Sequence, residues 1–211
     1  MLGRSDLAVD PMGGLGVLKG HTLGIPGHFG SSYYAALAAL HEAGLTEADV
    51  ELVDIGYTAT SALAAGKVDF IMGFTNNELV QLESQGVGLT VIPIFDPGTP
   101  TLVGPSLVTV DTRNSDEVLR ALADGMREAQ EAVIADPQAA LDATAKEVPA
   151  MADPVQRASA EKVLAATTGL WLRDGKVDVA VDPEAFTRMG AFLKEAGIID
   201  AAPSQPYVDL S

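Results

Sequence analysis

Thr75, Asn76, Asn77 and Glu78 stand directly behind the apolar run Val68-Asp69-Phe70-Ile71-Met72, with Gly73 and Phe74 between. A strand that ends in polar side chains points to a binding surface, because small ligands sit at the carboxyl ends of strands in open α/β sheets. Amides donate and accept at once, and a carboxylate accepts. Together they suit a flat heteroaromatic ring with several polar edge atoms. One helix cap by Thr75 or Asn76, with Glu78 in the first turn, accounts for part of this cluster, but four polar groups exceed what a cap needs. Phe74 suits either stacking on a ring or plugging the core.

A second candidate is the loop Pro26-Gly27-His28-Phe29-Gly30-Ser31-Ser32, which lies between a strand over 21–25 and a helix over 31–43. Free backbone N–H groups at the start of that helix, with its dipole behind them, can hold an anionic or carbonyl oxygen. The same residues also make a plain strand-to-helix turn with Ser31 as cap. Tyr57 and Thr58 follow the next strand, 50–55, and so belong either to the same edge or to an exposed turn.

Several chemistries are excluded or disfavoured. Ser31 and Ser32 lie in no GxSxG elbow, so no catalytic residue is assigned. The histidines His21, His28 and His41 are scattered without HExxH spacing, so no metal site is expected, and only His28 is placed to touch a ligand. Gly24, Gly27 and Gly30 do not fit GxGxxG and no GK[ST] follows, so no nucleotide cofactor is implied. Cysteine is absent, which removes disulfides and thiolate nucleophiles. Thirteen basic against 29 acidic residues give a net charge of −16 with no basic patch, which argues against nucleic acid. Residues 1–18 lack the basic and apolar regions of a secretory leader, and no apolar run reaches membrane-spanning length.

From 18 to 95 the pattern alternates strands (21–25, 50–55, 68–73, 89–95) with helices (31–43, 60–65, 76–85), which predicts βαβ units and a mostly parallel sheet. Pro97, Gly98, Pro100, Gly104 and Pro105 then interrupt the chain before a short strand over 106–110. Beyond it the spacing predicts helices over 115–135, 137–148, 154–168 and 183–196. Three of these start at Asp-Pro: Asp136-Pro137, Asp153-Pro154 and Asp182-Pro183, with Asp as cap and Pro in the first helical position. Leu119, Leu122, Met126, Ala129 and Val133 form one apolar stripe and Phe186, Met189 and Leu193 another, so both are expected to pack on something. Trp171 is assigned a structural role.

The run Leu18-Lys19-Gly20-His21-Thr22-Leu23-Gly24-Ile25-Pro26-Gly27 resembles the opening of the second lobe in ABC-transporter solute-binding proteins of the SsuA/THI5-like (NMT1) family. The resemblance continues through Ala43-Gly44-Leu45, Ala64-Ala65-Gly66-Lys67-Val68-Asp69, Gly73 to Glu78 and Val80-Gln81-Leu82-Glu83. It resumes at Leu170-Trp171 and Ala196-Gly197-Ile198-Ile199-Asp200. It implies an α/β, periplasmic-binding-protein type II-like fold, with one complete βαβ lobe and the C-terminal helices of a second, incomplete lobe. The expected division is an irregular segment over 1–17, an α/β lobe over 18–95, a hinge or crossover over 96–112 and a helical part over 113–211. The resemblance also implies first-lobe strands and helices before Leu18, so the expectation is a chain that lacks most of its first lobe.

The resemblance further implies a small-molecule ligand, a membrane permease as partner and an extracytoplasmic location. The ligand it implies is a heteroaromatic such as a thiamine pyrimidine precursor or a riboflavin-like compound. The ligand-binding residues it implies are Gly27, His28, Phe29, Gly30, Ser31, Ser32, Tyr57, Phe74, Thr75, Asn76, Asn77 and Glu78. Three readings stay open beside it. One is a pyrimidine synthase of thiamine biosynthesis, disfavoured because the synthases' cysteine-rich motif has no counterpart here. The others are a truncated, non-binding remnant and a sensory domain.

Overall fold

The computed structural model describes residues 1–96, 101–110, 114–204 and 207–208. The chain divides into two compact units, one built from Met1–Val103 with Glu184–Ser204 and the other from Gly104–Pro183.

The first unit is organised by a five-stranded sheet. Its strands are β1 (Leu2–Arg4), β2 (Thr22–Ile25), β3 (Glu51–Asp54), β4 (Phe70–Ile71) and β5 (Leu89–Val91), in spatial order β3-β2-β4-β1-β5. The connecting helices are α1 (Gly30–Glu42), α2 (Ala59–Ala64) and α3 (Glu78–Ser84). β2 pairs in parallel with β3 (Ile25 opposite Asp54) and with β4 (Gly24 opposite Ile71), as the strand–helix alternation predicts. β1 runs antiparallel to both β4 and β5.

That placement corrects the expectation of an irregular segment over 1–17. Leu2 lies opposite both Ile71 and Val91, and Met1 and Leu2 are buried. A strand of three residues is too short to display the period-two alternation by which strands are recognised. After it the chain makes two short 3-10 segments, Ser5–Leu7 and Pro11–Leu18, the second capped by the Asp10 carboxylate, which accepts from the Met12 N–H at 2.9 Å.

Both faces of the sheet are covered. Leu23, Ile25, Phe70 and Met72 pack with Ala36, Ala39 and Leu40 of α1 in one cluster, whereas Leu2, Ile71, Ala62, Leu63 and Leu82 form the other, against α2 and α3. Phe70, Ile71 and Met72 thus alternate between clusters, as successive strand residues must. A sheet buried on both sides explains why 68–72 reads as a nearly continuous apolar run.

The second unit holds α4 (Asp116–Ala135), α5 (Pro137–Glu147), α6 (Pro154–Leu170) and a hairpin of β6 (Leu172–Arg173) and β7 (Lys176–Val177). The Asp-Pro capping signals at Asp136 and Asp153 hold. Asp136 accepts from the Ala139 N–H at 3.0 Å, and Asp153 accepts from those of Val155 (2.7 Å) and Gln156 (3.1 Å). The apolar stripe of α4 behaves differently from its expectation. Leu119 and Val133 are half-buried, but Leu122 and Met126 are exposed, although α4 packs with α5, α6 and the hairpin.

The last helix, α7 (Pro183–Glu195), belongs chiefly with the sheet-bearing unit rather than with a helical part over 113–211. Phe192 is buried, its ring meets that of His41 edge-on at 5.8 Å, and Glu195 lies 3.4 Å from His41 Nε2. The expected strand over 106–110 is not formed. Leu107, Val108 and Val110 are exposed and have no strand beside them among the described residues. Within the expected hinge over 96–112, residues 97–100 and 111–112 lie outside the described residues.

Candidate functional site

Because β2, β3 and β4 are adjacent and parallel, the loops that follow them leave the same edge of the sheet. Those loops are the three segments the sequence nominates. Pro26 to Phe29 leads into α1, Ile55 to Thr58 into α2, and Met72 to Asn77 into α3.

The first loop turns within three residues: the Phe29 N–H donates to the Gly27 carbonyl at 2.8 Å, which throws His28 outward. Gly27, at φ 153°, permits this, since a Cβ there would stand 2.5 Å from the Phe29 ring. The His28 ring lies 5.1 Å from the Tyr33 ring, and its Nδ1 is 3.5 Å from Asp54 Oδ1 at the end of β3. Both members of that pair are open to solvent, with side-chain exposures of 54% and 64%. Burial, with the nearby Glu47 carboxylate adding to it, holds the Tyr33 phenol above its ordinary pKa, so it stays neutral.

Ser31 is not the cap of α1. The helix starts at Gly30, Phe29 occupies the cap position, and no side chain bonds to the first turn. The exposed Gly30 and Ser31 and the half-buried Ser32 therefore present backbone donors that no side chain of the cap satisfies.

In the third loop the expected cap is also displaced. Neither Thr75 nor Asn76 caps α3. Asn77 holds the cap position without capping, and its side chain is engaged elsewhere. Glu78 Oε2 accepts from the Phe74 N–H at 2.8 Å and Oε1 from Asn77 Nδ2 at 3.1 Å, while Asn77 Oδ1 accepts from Gln81 Nε2 at 2.6 Å. The result is a connected string of Phe74 backbone, Glu78, Asn77 and Gln81. Such strings hold their members in fixed orientation. Gly73 makes room for it: a Cβ would approach Leu2 Cδ1 to 2.7 Å and Glu78 Cβ to 3.1 Å. Thr75 is exposed and Asn76 half-buried beside this string.

Each of the three loops also carries an exposed aromatic: Phe29, Tyr57 and Phe74. Phe74 is thus not a core plug. The segments 26–32, 54–60 and 72–81 contain the carboxylates Asp54 and Glu78 and neither Lys nor Arg. Three residues that the sequence reading does not assign to the site belong to this edge: Tyr33, Asp54 and Gln81. Gln81 was findable, since Asn77 and Gln81 stand four apart on one helix face. Asp54 required the parallel register, which no local pattern carries.

At the opposite edge, Asp69 Oδ2 accepts from the Thr22 N–H (3.0 Å), the Thr22 hydroxyl (3.0 Å) and His21 Nδ1 (3.2 Å), and the Asp69 N–H donates back to Thr22 Oγ1 at 2.8 Å. Burial pulls its carboxyl upward, but the hydrogen bonds from Thr22 and His21 outweigh that and hold it below the usual carboxylate range. Asp69 therefore ties the starts of β2 and β4 together. Among the described residues no cluster of three or more His, Asp or Glu could hold a metal ion, and no helix is long and apolar enough to cross a membrane.

A mixed sheet with an antiparallel strand set among parallel ones, covered by helices on both faces, is the architecture of periplasmic binding proteins. The chain superposes on the periplasmic aliphatic sulphonate binding protein SsuA of Escherichia coli with a TM-score of 0.61 at 17% identity, over 95% of this chain and 61% of that one. The NMT1/THI5 like family model matches residues 11–140, and the chain belongs to that family. It is 30% identical over 194 residues to the riboflavin-binding protein RibY of Chloroflexus aurantiacus, which covers 90% of this chain and 55% of RibY. The chain thus spans little more than half the length of these relatives.

Proposed function

We propose that this chain is the ligand-binding part of a solute-binding protein of an ABC importer, taking a neutral heteroaromatic such as a riboflavin-like compound or a thiamine pyrimidine precursor. The observation that carries the reading is the convergence of Phe29, Tyr57 and Phe74 with the Glu78–Asn77–Gln81 string on one sheet edge. Exposed aromatic faces stack on planar rings, and fixed amides and carboxylates read their polar rims. The absence of Lys and Arg from the three loops, with Asp54 and Glu78 present, opposes an anionic ligand. Similarity to a protein named for riboflavin binding supports the same class. In this role the protein works outside the cytoplasm, hands its ligand to a membrane permease and performs no chemistry on it. Gly27 to Ser32, Tyr57 and Phe74 to Glu78 supply one wall of the site.

Titration calorimetry of the natural protein with riboflavin, formylaminopyrimidine and aminopyrimidine, with an alkanesulfonate as the anionic alternative, tests the reading. Binding of at least one ring compound and none of the sulfonate is expected. Sulfonate binding without ring binding overturns it.

A further inference from the structure

His28 and Asp54 sit where that reading leaves a task unassigned. The Glu78 oxygens and Asn77 Oδ1 each accept one hydrogen bond within their string and keep a lone pair for one rim of a ring, whereas the loop over 26–29 has no acceptor side chain assigned to the other. His28 has a neighbour on two sides, the Tyr33 ring at 5.1 Å and Asp54 at 3.5 Å from Nδ1, and it stands immediately before the exposed Phe29. A carboxylate facing Nδ1 favours the tautomer with the proton on Nδ1 and the lone pair on Nε2. The three-residue turn at 27–29 pushes that ring out of the loop rather than into the core. No cation in the three loops competes for the acceptor.

We propose that His28 is a specificity-determining contact residue whose Nε2 accepts a hydrogen bond from a ring N–H of the ligand, with Asp54 as the residue that positions it. The inference rests on the ring-binding reading above and adds a requirement for an imide- or amide-type N–H on the ligand edge. A ring that lacks this donor leaves Nε2 facing an apolar group. Discrimination then arises from an unmet acceptor rather than from shape.

The test crosses protein variants with a ligand variant. Riboflavin carries one imide N–H, at N3, and N3-methylriboflavin lacks it. Binding of both to the natural protein, His28→Ala, Asp54→Ala and Asp54→Asn is followed by flavin fluorescence. The natural protein prefers riboflavin by about tenfold, the size of one net hydrogen bond. In His28→Ala that preference falls to within about twofold, with an unchanged melting temperature. Asp54→Ala loses most of the preference and Asp54→Asn keeps it, since an Asn oxygen presents the same acceptor to Nδ1–H. Riboflavin binding with the same preference in His28→Ala overturns the inference and leaves the ring-binding reading intact. Failure of the natural protein to bind either flavin removes the inference, and the pyrimidine arms of the calorimetric titration then decide the broader reading.

Discussion

The two edges of one sheet carry the same chemical pair and use it in opposite ways. At the amino ends of β2 and β4, His21 and Asp69 lie 3.2 Å apart with side-chain exposures of 33% and 32%, and Thr22 donates to the same Asp69 oxygen from both its N–H and its hydroxyl. At the carboxyl ends of β2 and β3, His28 and Asp54 lie 3.5 Å apart and are both more than half exposed, and no hydrogen bond to either side chain is present among the described residues. One pair is a clasp closed on the backbone. The other is open to solvent. A histidine and an aspartate therefore say little by type. What separates the two pairs is whether neighbouring donors engage the carboxylate.

The contrast is breakable. Its largest expected effect is at the closed edge: Asp69→Ala removes three accepted hydrogen bonds and should cost about 2–4 kcal/mol in urea unfolding, with ligand affinity per folded molecule unchanged. A loss under about 0.5 kcal/mol would deny that Asp69 is a clasp.

Acid provides a reversible version. The folded-state pKa of Asp69 is lowered, so its contribution is present above the ordinary carboxylate range and is lost as pH falls through the folded value. The stability gap between the natural protein and Asp69→Ala should stay constant from about pH 7 to 5 and narrow below about pH 4. A gap that widens on acidification would contradict the sign of the shift.

Gly73→Ala should come next, at about 1–3 kcal/mol, because its methyl group meets both Leu2 and Glu78. Ligand affinity should fall with it, since the Glu78 string is displaced, and a change in stability without a change in affinity would separate that string from the site. The smallest effect belongs to the open edge. His28→Ala and Asp54→Ala should each alter stability by less than about 0.5 kcal/mol in the same urea assay. A larger loss would make this pair structural like its counterpart.

Much of the sheet and nearly all of the long helices were legible in the sequence. Asp136 and Asp153 cap where Asp-Pro marks a start, and the βαβ alternation over 18–95 gives the parallel pairs. What escaped was decided by distant partners. β1 exists because Ile71 and Val91 lie on either side of Leu2, and a three-residue run shows nothing of that. The segment 106–110 has strand composition but no neighbouring strand among the described residues, so its apolar side chains stay exposed. The three loops at the strand ends were readable from the alternation of strands and helices, whereas the exposure of Phe74 and the caps were not. Ser31 and Asn76 have capping chemistry, yet Gly30 starts α1 one residue early and Glu78 reaches back to Phe74.

We propose that the carboxyl-end edge meets the ligand and the amino-end edge does not. Backbone amide shifts of the natural protein titrated with riboflavin test it most directly. Perturbations concentrated at Gly27 to Ser32, Tyr57 to Thr58 and Gly73 to Glu78, with Thr22 and Asp69 unmoved, are the predicted result. Shifts centred on Thr22 and Asp69, or on the helices α4 to α6, would contradict it.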